Sequence, residues 1–345
     1  MDLQKVLSEA AALCGPSGHE ESVAAYFAEL FRPFVDEVTV DKMYNVIAHK
    51  KGSGPKVMLS AHMDEIGMLV TKIEDDGSLR LGQIGGVDPR ILPACRVWVH
   101  GREKLFGTIG ALPPHLLSNE DRENNYRMDK LHVDVGLPAE KVRELVRIGD
   151  LVTFNNGSTA LLNHQFAAKT MDDRACVAML ILTAEKLQML KCDADVYFVG
   201  STQEEVGCIG AETAAFAIDP DLAIALDVDH AATPGAPASA TVPLDALVST
   251  IGPFIQPKLE KRLEDCAKKH HVKLNSAVAG RWTGTDADEI GTARAGVPTV
   301  LLSLPEKYMH TTVETIDLQV LEEGSRLMAH FLSELDAGWE DDLWI

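Results

Sequence analysis

Apolar positions along this chain change their spacing twice, and the changes divide it into three parts. Residues 2–13 carry apolar side chains at helical spacing, stop at Gly15-Pro16-Ser17-Gly18 and resume through His19-Glu20-Glu21 into a second helix over 23–34. Residues 35–49 predict two short strands joined by Lys42-Met43-Tyr44-Asn45, and 56–60 a buried strand running into Ala61-His62-Met63-Asp64-Glu65. From Ile66 to about Gln165 the pattern becomes one of short alternating strands. Segments 68–73 and 79–84 flank the hairpin signal Glu74-Asp75-Asp76-Gly77-Ser78, further strands are expected at 95–100, 106–109 and 150–154, and only 138–146 reads as helical. Helices and buried strands then return. They are a helix over 175–190, a strand over 195–199, a helix near 209–216, a strand over 222–226, an amphipathic helix over 258–271, a short helix capped by Thr285, a last strand over 297–302 and a closing helix over 318–335. The order predicts an α/β fold with a compact β-rich insertion.

Chemistry gathers where the apolar strands stop. Strand 195–199 ends in Gly200-Ser201-Thr202-Gln203-Glu204-Glu205-Val206-Gly207, so two adjacent carboxylates sit at a strand's C-terminal end, where open α/β sheets place their ligands. Strand 56–60 delivers His62 and Asp64, which share a side on an extended backbone, so the carboxylate can orient the imidazole or simply close a turn with it. Asp172-Asp173-Arg174 opens the helix that follows Phe166-Ala167-Ala168, where acidic residues also suit the helix dipole. Strand 222–226 ends in Asp227-Val228-Asp229-His230, and strand 297–302 leads to Tyr308-Met309-His310. His62, Asp172, Glu204, Glu205, Asp227 and His310 thus form a set of two histidines and several carboxylates without cysteine, suited to zinc, cobalt or manganese. There are too many ligands for one tetrahedral ion; they fit two ions bridged by a carboxylate, an arrangement that activates water against amides and phosphates.

Charge and cysteine usage narrow the partners. A net charge of −20 argues against nucleic acid and anionic membranes, which need clustered Lys and Arg. The opening Met1-Asp2-Leu3-Gln4-Lys5-Val6 lacks a basic then apolar leader, and no apolar run has the length of a membrane span. Six scattered cysteines without a Cys-x-x-Cys suit reduced thiols in a cytoplasmic protein, and none stands out as nucleophile or zinc ligand. His115, His132, His270 and His271 read as structural or solvated. An apolar segment, 112–117, runs into a polar loop over 118–127, and 339–345 forms a short acidic and apolar tail.

In chain order, Ala61-His62-Met63-Asp64-Glu65, Asp172-Asp173-Arg174, Thr202-Gln203-Glu204-Glu205-Val206-Gly207, Ala225-Leu226-Asp227 and Tyr308-Met309-His310-Thr311-Thr312-Val313-Glu314 resemble the tetrahedral (TET) aminopeptidases, within the glutamyl and deblocking aminopeptidase family, some of whose members are labelled endoglucanases. Gly85-Gly86-Val87-Asp88-Pro89-Arg90 and Gly284-Thr285-Asp286-Ala287 extend the likeness over nearly the whole chain; Thr311-Thr312 departs from the Ser-Pro of many relatives. The resemblance implies a mixed sheet sandwiched by helices, with residues 1–67 plus 165–345 as the catalytic domain and 68–164 as an inserted oligomerisation domain. It implies two divalent ions per subunit, zinc or cobalt with manganese possible: His62 and Asp227 on one, Glu205 and His310 on the other, Asp172 bridging. Asp64 would orient His62, and Glu204 would be the general base for a metal-bridging water, a division between Glu204 and Glu205 that the residues alone leave open. It further implies peptide substrates with a free N-terminus and a tetrahedral dodecamer built from dimers. The rival readings are a dinuclear carboxypeptidase or deacylase, for which Arg281 is the candidate carboxylate clamp, and an endoglucanase.

Overall fold

The structure, a computed structural model, describes residues 1–119, 122, 124–336, 338–341 and 343. Among them the strands run β1 (Glu37–Val40), β2 (Val46–Lys50), β3 (Lys56–His62), β4 (Gly67–Ile73), β5 (Leu79–Ile84), β6 (Arg96–His100), β7 (Lys104–Gly110), β8 (His132–Asp134), β9 (Leu151–Phe154), β10 (Thr159–Ala160), β11 (Gln165–Ala168), β12 (Asp195–Ser201), β13 (Leu222–His230), β14 (Leu247–Ile251), β15 (Leu274–Val278), β16 (Thr299–Glu306) and β17 (Glu314–Asp317). Eight of these form one mixed sheet in the order β1-β2-β12-β3-β13-β16-β14-β15. Its central four, β12, β3, β13 and β16, are parallel, so their carboxyl ends share one edge. That edge is where His62, the Glu204-Glu205 turn and Asp227 are delivered.

Parallel strands buried on both faces need apolar residues at successive positions, and β3 and β16 supply them. Helices Leu3–Ala12, Glu21–Phe31, Met171–Leu187, Pro257–Lys269 and Leu318–Ser333 pack into one covering layer, with Ile209–Ile218 and Asp286–Thr292 in the other. The Met171–Leu187 helix is buried along almost its whole length, which explains why its apolar positions show no single stripe. The strands that carry the site run further than the apolar pattern predicts: β13 extends to His230 and β16 to Glu306, because the carboxylates and histidine at their ends are held in the ladder by their neighbours. β14 and β15 are absent from the sequence expectation, although Leu247-Val248-Ser249-Thr250-Ile251 is a β-branched run.

The insertion closes into a barrel, β4-β5-β8-β7-β6-β9. Its core of Met68, Val70, Leu79, Val97, Val99, Val133, Val152 and neighbours is separate from that of the main sheet. Its helix is Ala139–Leu145, close to the expected 138–146. Within the expected apolar segment, Pro114–Leu116 is a single 3-10 turn, with Leu112 and Leu116 about 60% exposed (59% and 63%). The polar loop over 118–127 and the tail over 339–345 fall partly outside the described residues. Among the described residues no helix is long and apolar enough to cross a membrane.

Candidate metal centre

His62 is the last residue of β3, and its imidazole is buried at 2% exposure, with Nε2 3.0 Å from Asp172 Oδ1. Asp172 reaches this position because the chain leaves helical geometry at the start of its helix: Thr170 is left-handed (φ 65°) and Asp172 lies at φ −73°, ψ 103°. The second oxygen of Asp172, Oδ2, lies 3.1 Å from His310 Nε2. His310 Nε2 is also 3.1 Å from Glu205 Oε1, and Glu204 Oε2 lies 3.9 Å from His62 Nε2. His62, Asp173 and Asp227 form a second group with donor atoms all within 4.8 Å of one another, beside the group of His62, Asp172 and Glu205. The structure therefore gathers all six sequence candidates, with Asp172 between the two histidines.

Asp64 does more than face the imidazole. It is fully buried; its Oδ1 stands 3.4 Å from His62 Nδ1, out of line for a hydrogen bond, and accepts the Glu204 N–H at 3.1 Å. Its Oδ2 accepts the Ser17 hydroxyl at 2.6 Å and the Glu205 N–H at 3.3 Å. One carboxylate thereby ties the ends of β3 and β12 together. Gln203, left-handed at φ 56°, turns the chain into the Glu204-Glu205 segment, and His310 is left-handed at φ 59°. Such non-glycine conformations cost about 1–3 kcal/mol each and persist where the surrounding contacts overdetermine them. The barrel takes part as well. Gly86 O is 3.2 Å from His310 Nδ1, and a Cβ on Gly86 would fall 2.6 Å from that ring, so only glycine lets the barrel support this histidine.

Sequence reasoning missed several residues here. Asp173 accepts the His62 backbone N–H, and Asp286 accepts both the Ser60 and Ser201 hydroxyls directly beneath the strand ends. Glu306 and Glu314 are buried nearby, Glu314 accepting the Asp172 N–H. Lys169, Glu65 and Arg174 form a buried ion cluster, with Glu65 Oε2 2.6 Å from the ammonium and Oε1 3.3 Å from the guanidinium. Signals existed for Glu65, Asp173, Arg174, Asp286 and Glu314, which lie inside the quoted motifs. His230 is exposed and stands apart from the group, whereas Thr285 caps its helix as expected.

Electrostatically the group calls for a cation. Burial pushes Glu204 up to about 8, with the Asp286, Asp172 and Glu205 carboxylates adding to it. Burial pushes Asp227 well up too, with Asp173 and Glu204 adding. Burial opposes the charge of His310, yet Asp172 and Glu205 raise it to about 11; burial opposes that of His62 too, and Asp172, Asp64 and Glu204 hold its imidazole well above its usual value. Carboxylates crowded in low dielectric can ionise together only if positive charge enters with them. The donors fit a metal: both histidines turn Nε2 inward, and among the described residues the buried Glu205 Oε1 and Asp173 Oδ1 have no hydrogen-bond partner, Glu205 Oε1 merely facing His310 Nε2 at 3.1 Å. Backbone support at His310 Nδ1 leaves Nε2 turned toward Asp172 and Glu205, as in histidines that hold a metal through the other nitrogen.

Beside this group lies a cavity of about 460 Å³, lined by Asp229, Ser239, Thr241, Thr250, Ser276, Thr283, Thr285 and Ser303 among others. Asp227 and Ser303 are register partners in β13 and β16, and Asp229 is two residues beyond Asp227, so the cavity wall and Asp227 share a face of the sheet. Among the described residues, Asp229 is the one charged side chain in the lining.

Comparisons with known proteins identify the family. Residues 44–327 match the M42 glutamyl aminopeptidase family. The chain is 39% identical over 327 residues to a lysyl aminopeptidase of Pyrococcus furiosus, covering 93% of this chain and 94% of the relative. Among solved structures, an aminopeptidase from Desulfurococcus kamchatkensis superposes with a TM-score of 0.92 at 34% identity, covering 99% and 98% of the two chains. The Pyrococcus horikoshii TET1 peptidase, which can assemble into a tetrahedron or a large octahedral shell, superposes at 0.84 with 30% identity, covering 97% and 100%. A buried set of metal donors at the carboxyl edge of a mixed sheet, a barrel inserted behind it, and likeness along nearly the full length lead to one assignment: this chain belongs to the M42 glutamyl aminopeptidase family and is a metallo-aminopeptidase, a hydrolase acting on peptide bonds.

Proposed function

We propose that this aminopeptidase works with two divalent ions per subunit, zinc or cobalt with manganese also suited, held by His62 and Asp227 on one side, Glu205 and His310 on the other, and Asp172 between them. The observation that carries this is the placement of Asp172: its two oxygens face two histidines, one at the end of β3 and the other in the turn between β16 and β17, as a bridging carboxylate requires. Bound there, the ions would supply Lewis acidity, lowering the pKa of a water and polarising the scissile carbonyl. Glu204 takes the proton of the attacking water and returns it to the departing amine. Its carboxylate is nearly buried, and among the described residues its side chain accepts only a long hydrogen bond from the Cys208 thiol at 3.5 Å, which leaves it free for that work. Asp64 holds the Glu204 and Glu205 backbone in place and faces His62, so base and ligands keep one spacing.

Substrates are peptides with a free N-terminus, and the cavity around Asp229 receives the first side chain. Hydroxyl-lined walls and a lone carboxylate favour a cationic residue, in keeping with the lysyl aminopeptidase relative. Residues 1–67 plus 165–345 form the catalytic domain. The 68–164 insertion makes contacts between subunits of a dodecamer built from dimers, in line with the TET relatives and the exposed Leu112 and Leu116. The test is a panel of Lys-, norleucine-, Leu- and Glu-p-nitroanilides with zinc, cobalt or manganese restored after chelation. Hydrolysis abolished by chelator and regained with metal is expected, with Lys favoured over its isostere norleucine and the ratio cut at least about tenfold in Asp229→Asn, the scale of losing one charge-assisted contact. N-acetylated substrates cleaved as fast as free ones would overturn the exopeptidase chemistry, and norleucine cleaved as fast as Lys would overturn the role of Asp229.

A further inference from the structure

A second cluster of metal donors lies far along the chain from the first. Helix Pro257–Lys269 ends with Cys266 in its last turn and His270 as its C-cap; helix Leu318–Ser333 ends with His330 in its last turn and Glu334 as its C-cap. Each pair is spaced i, i+4, so each presents its two side chains on one helix face. The Cys266 sulfur, a His270 nitrogen and a Glu334 oxygen all lie within 4.8 Å of one another. Cys266 is 5% exposed and, among the described residues, its thiol has no hydrogen-bond partner. His270 Nε2 meets Glu334 Oε1 at 2.6 Å, and Lys269 Nζ reaches the same oxygen at 2.9 Å. The His270 ring is stacked on His330 at 3.7 Å between centroids, 9° from parallel, which fixes its plane. Sequence spacing had set His270 down as structural or solvated and the cysteines as unremarkable; it is the pairing of two helix ends that brings Cys266, His270 and Glu334 together.

We infer that Cys266, His270 and Glu334 bind a borderline divalent ion of the zinc or cobalt class, a site separate from the aminopeptidase centre that clasps the carboxyl ends of two helices. Thiolate, imidazole and carboxylate are the donors of zinc sites, and three protein ligands with one open position give a solvent-accessible tetrahedron. Both helices present their carboxyl ends here, where the backbone dipoles favour positive charge. Binding replaces the hydrogen bond between His270 Nε2 and Glu334, whose proton passes to water or to the other ring nitrogen, turns the Lys269 ammonium out to solvent, and releases the thiol proton to water as the sulfur–metal bond forms. Burial and the nearby Glu334 carboxylate push that thiol up to about 12, so the thiolate exists there only when the ion holds it.

The peptidase centre as drawn contains no sulfur ligand, so cobalt distinguishes the two sites. Full-length protein is stripped with chelator and titrated with Co2+, reading the near-ultraviolet sulfur-to-cobalt charge-transfer absorption and the metal bound per chain. The band is expected in the wild type, lost in Cys266→Ser together with one bound ion per chain, retained in Cys208→Ser, whose thiol lies beside Glu204, and weakened at least about tenfold in cobalt affinity by His270→Asn, in the range of losing one ligand contact. His270 and Glu334 are partly exposed at helix ends, so Glu334→Gln, expected to weaken the band likewise, is read even if Cys266→Ser folds poorly. No band in the wild type, a band that survives Cys266→Ser, or equal metal content in wild type, His270→Asn and Glu334→Gln would each overturn the site, whatever the peptidase activity.

Discussion

Replacing Glu65 by Gln probes how the metal-binding edge is held. Glu65 follows His62 and Asp64 directly, and its buried carboxylate receives the Gly15 N–H at 3.1 Å, the Arg174 guanidinium at 3.3 Å and the Lys169 ammonium at 2.6 Å. Lys169 and Arg174 flank Asp172, so this cluster joins the β3 end to the turn carrying the bridging candidate and to the Cys14-Gly15 segment. A neutral amide keeps the shape but leaves two buried cations without a counter-charge, and breaking a buried pair from one side costs about 3–5 kcal/mol. With an unfolding entropy near about 2.1 cal/mol/K per residue over 345 residues, that lowers the thermal midpoint by about 4–7 °C. The pH dependence gives a sharper check. Burial lowers the Lys169 pKa against the pull of Glu65, and without Glu65 it falls further. Below the folded pKa the cost of burying the ammonium is felt in full. Between that value and the unfolded lysine value of about 10.4, the unfolded chain holds a proton that the native protein lacks, so stability rises with pH, and over a wider range in the variant. The deficit of Glu65→Gln should therefore shrink from about pH 7 to about pH 9.5 in scanning calorimetry of the metal-stripped protein, with bound metal also lost faster on dialysis at neutral pH. A midpoint change under about 1 °C, or a deficit that widens with pH, would refute the reasoning.

Glu204→Gln should retain both ions by elemental analysis while turnover falls about 10²–10⁴-fold; full occupancy with a near-normal rate would remove Glu204 as base. Asp64→Asn should weaken metal affinity at least about 10–100-fold, because its amide group would face either the Glu204 or the Glu205 N–H, and an unchanged affinity would mean that this tie is dispensable. In solution, light scattering should give a particle near twelve times the 37.5 kDa chain, and a monomer at micromolar concentration would refute the shell while leaving the chemistry standing.

Much of this protein was legible in the order of its residues. Burial on both faces demands continuous apolar runs in parallel strands, so β3, β12, β13 and β16 announced themselves, and the polar residues where those runs stop were bound to lie at one edge of the sheet. His62, Glu204, Glu205, Asp227 and His310 follow those runs, and Asp172 opens the helix after 165–168, so the six could be read as one set before any distance was known. The insertion was marked by its change to period-two alternation. What the sequence could not supply is distance between segments far apart in the chain. Which oxygen of Asp172 faces which histidine, the Asp64 tie across two strand ends, and the reach of Gly86 from the barrel to His310 depend on left-handed turns and on packing of separate layers. Glu204 and Glu205 are neighbours of identical type. Only the fold turns Glu205 toward His310 and leaves Glu204 beside His62, because their orientation follows from the backbone turn at Gln203 and from Asp64 holding both of their amides. The same holds for Cys266, His270 and Glu334: sixty-odd residues separate the two helix ends, and no local pattern records that their carboxyl termini meet.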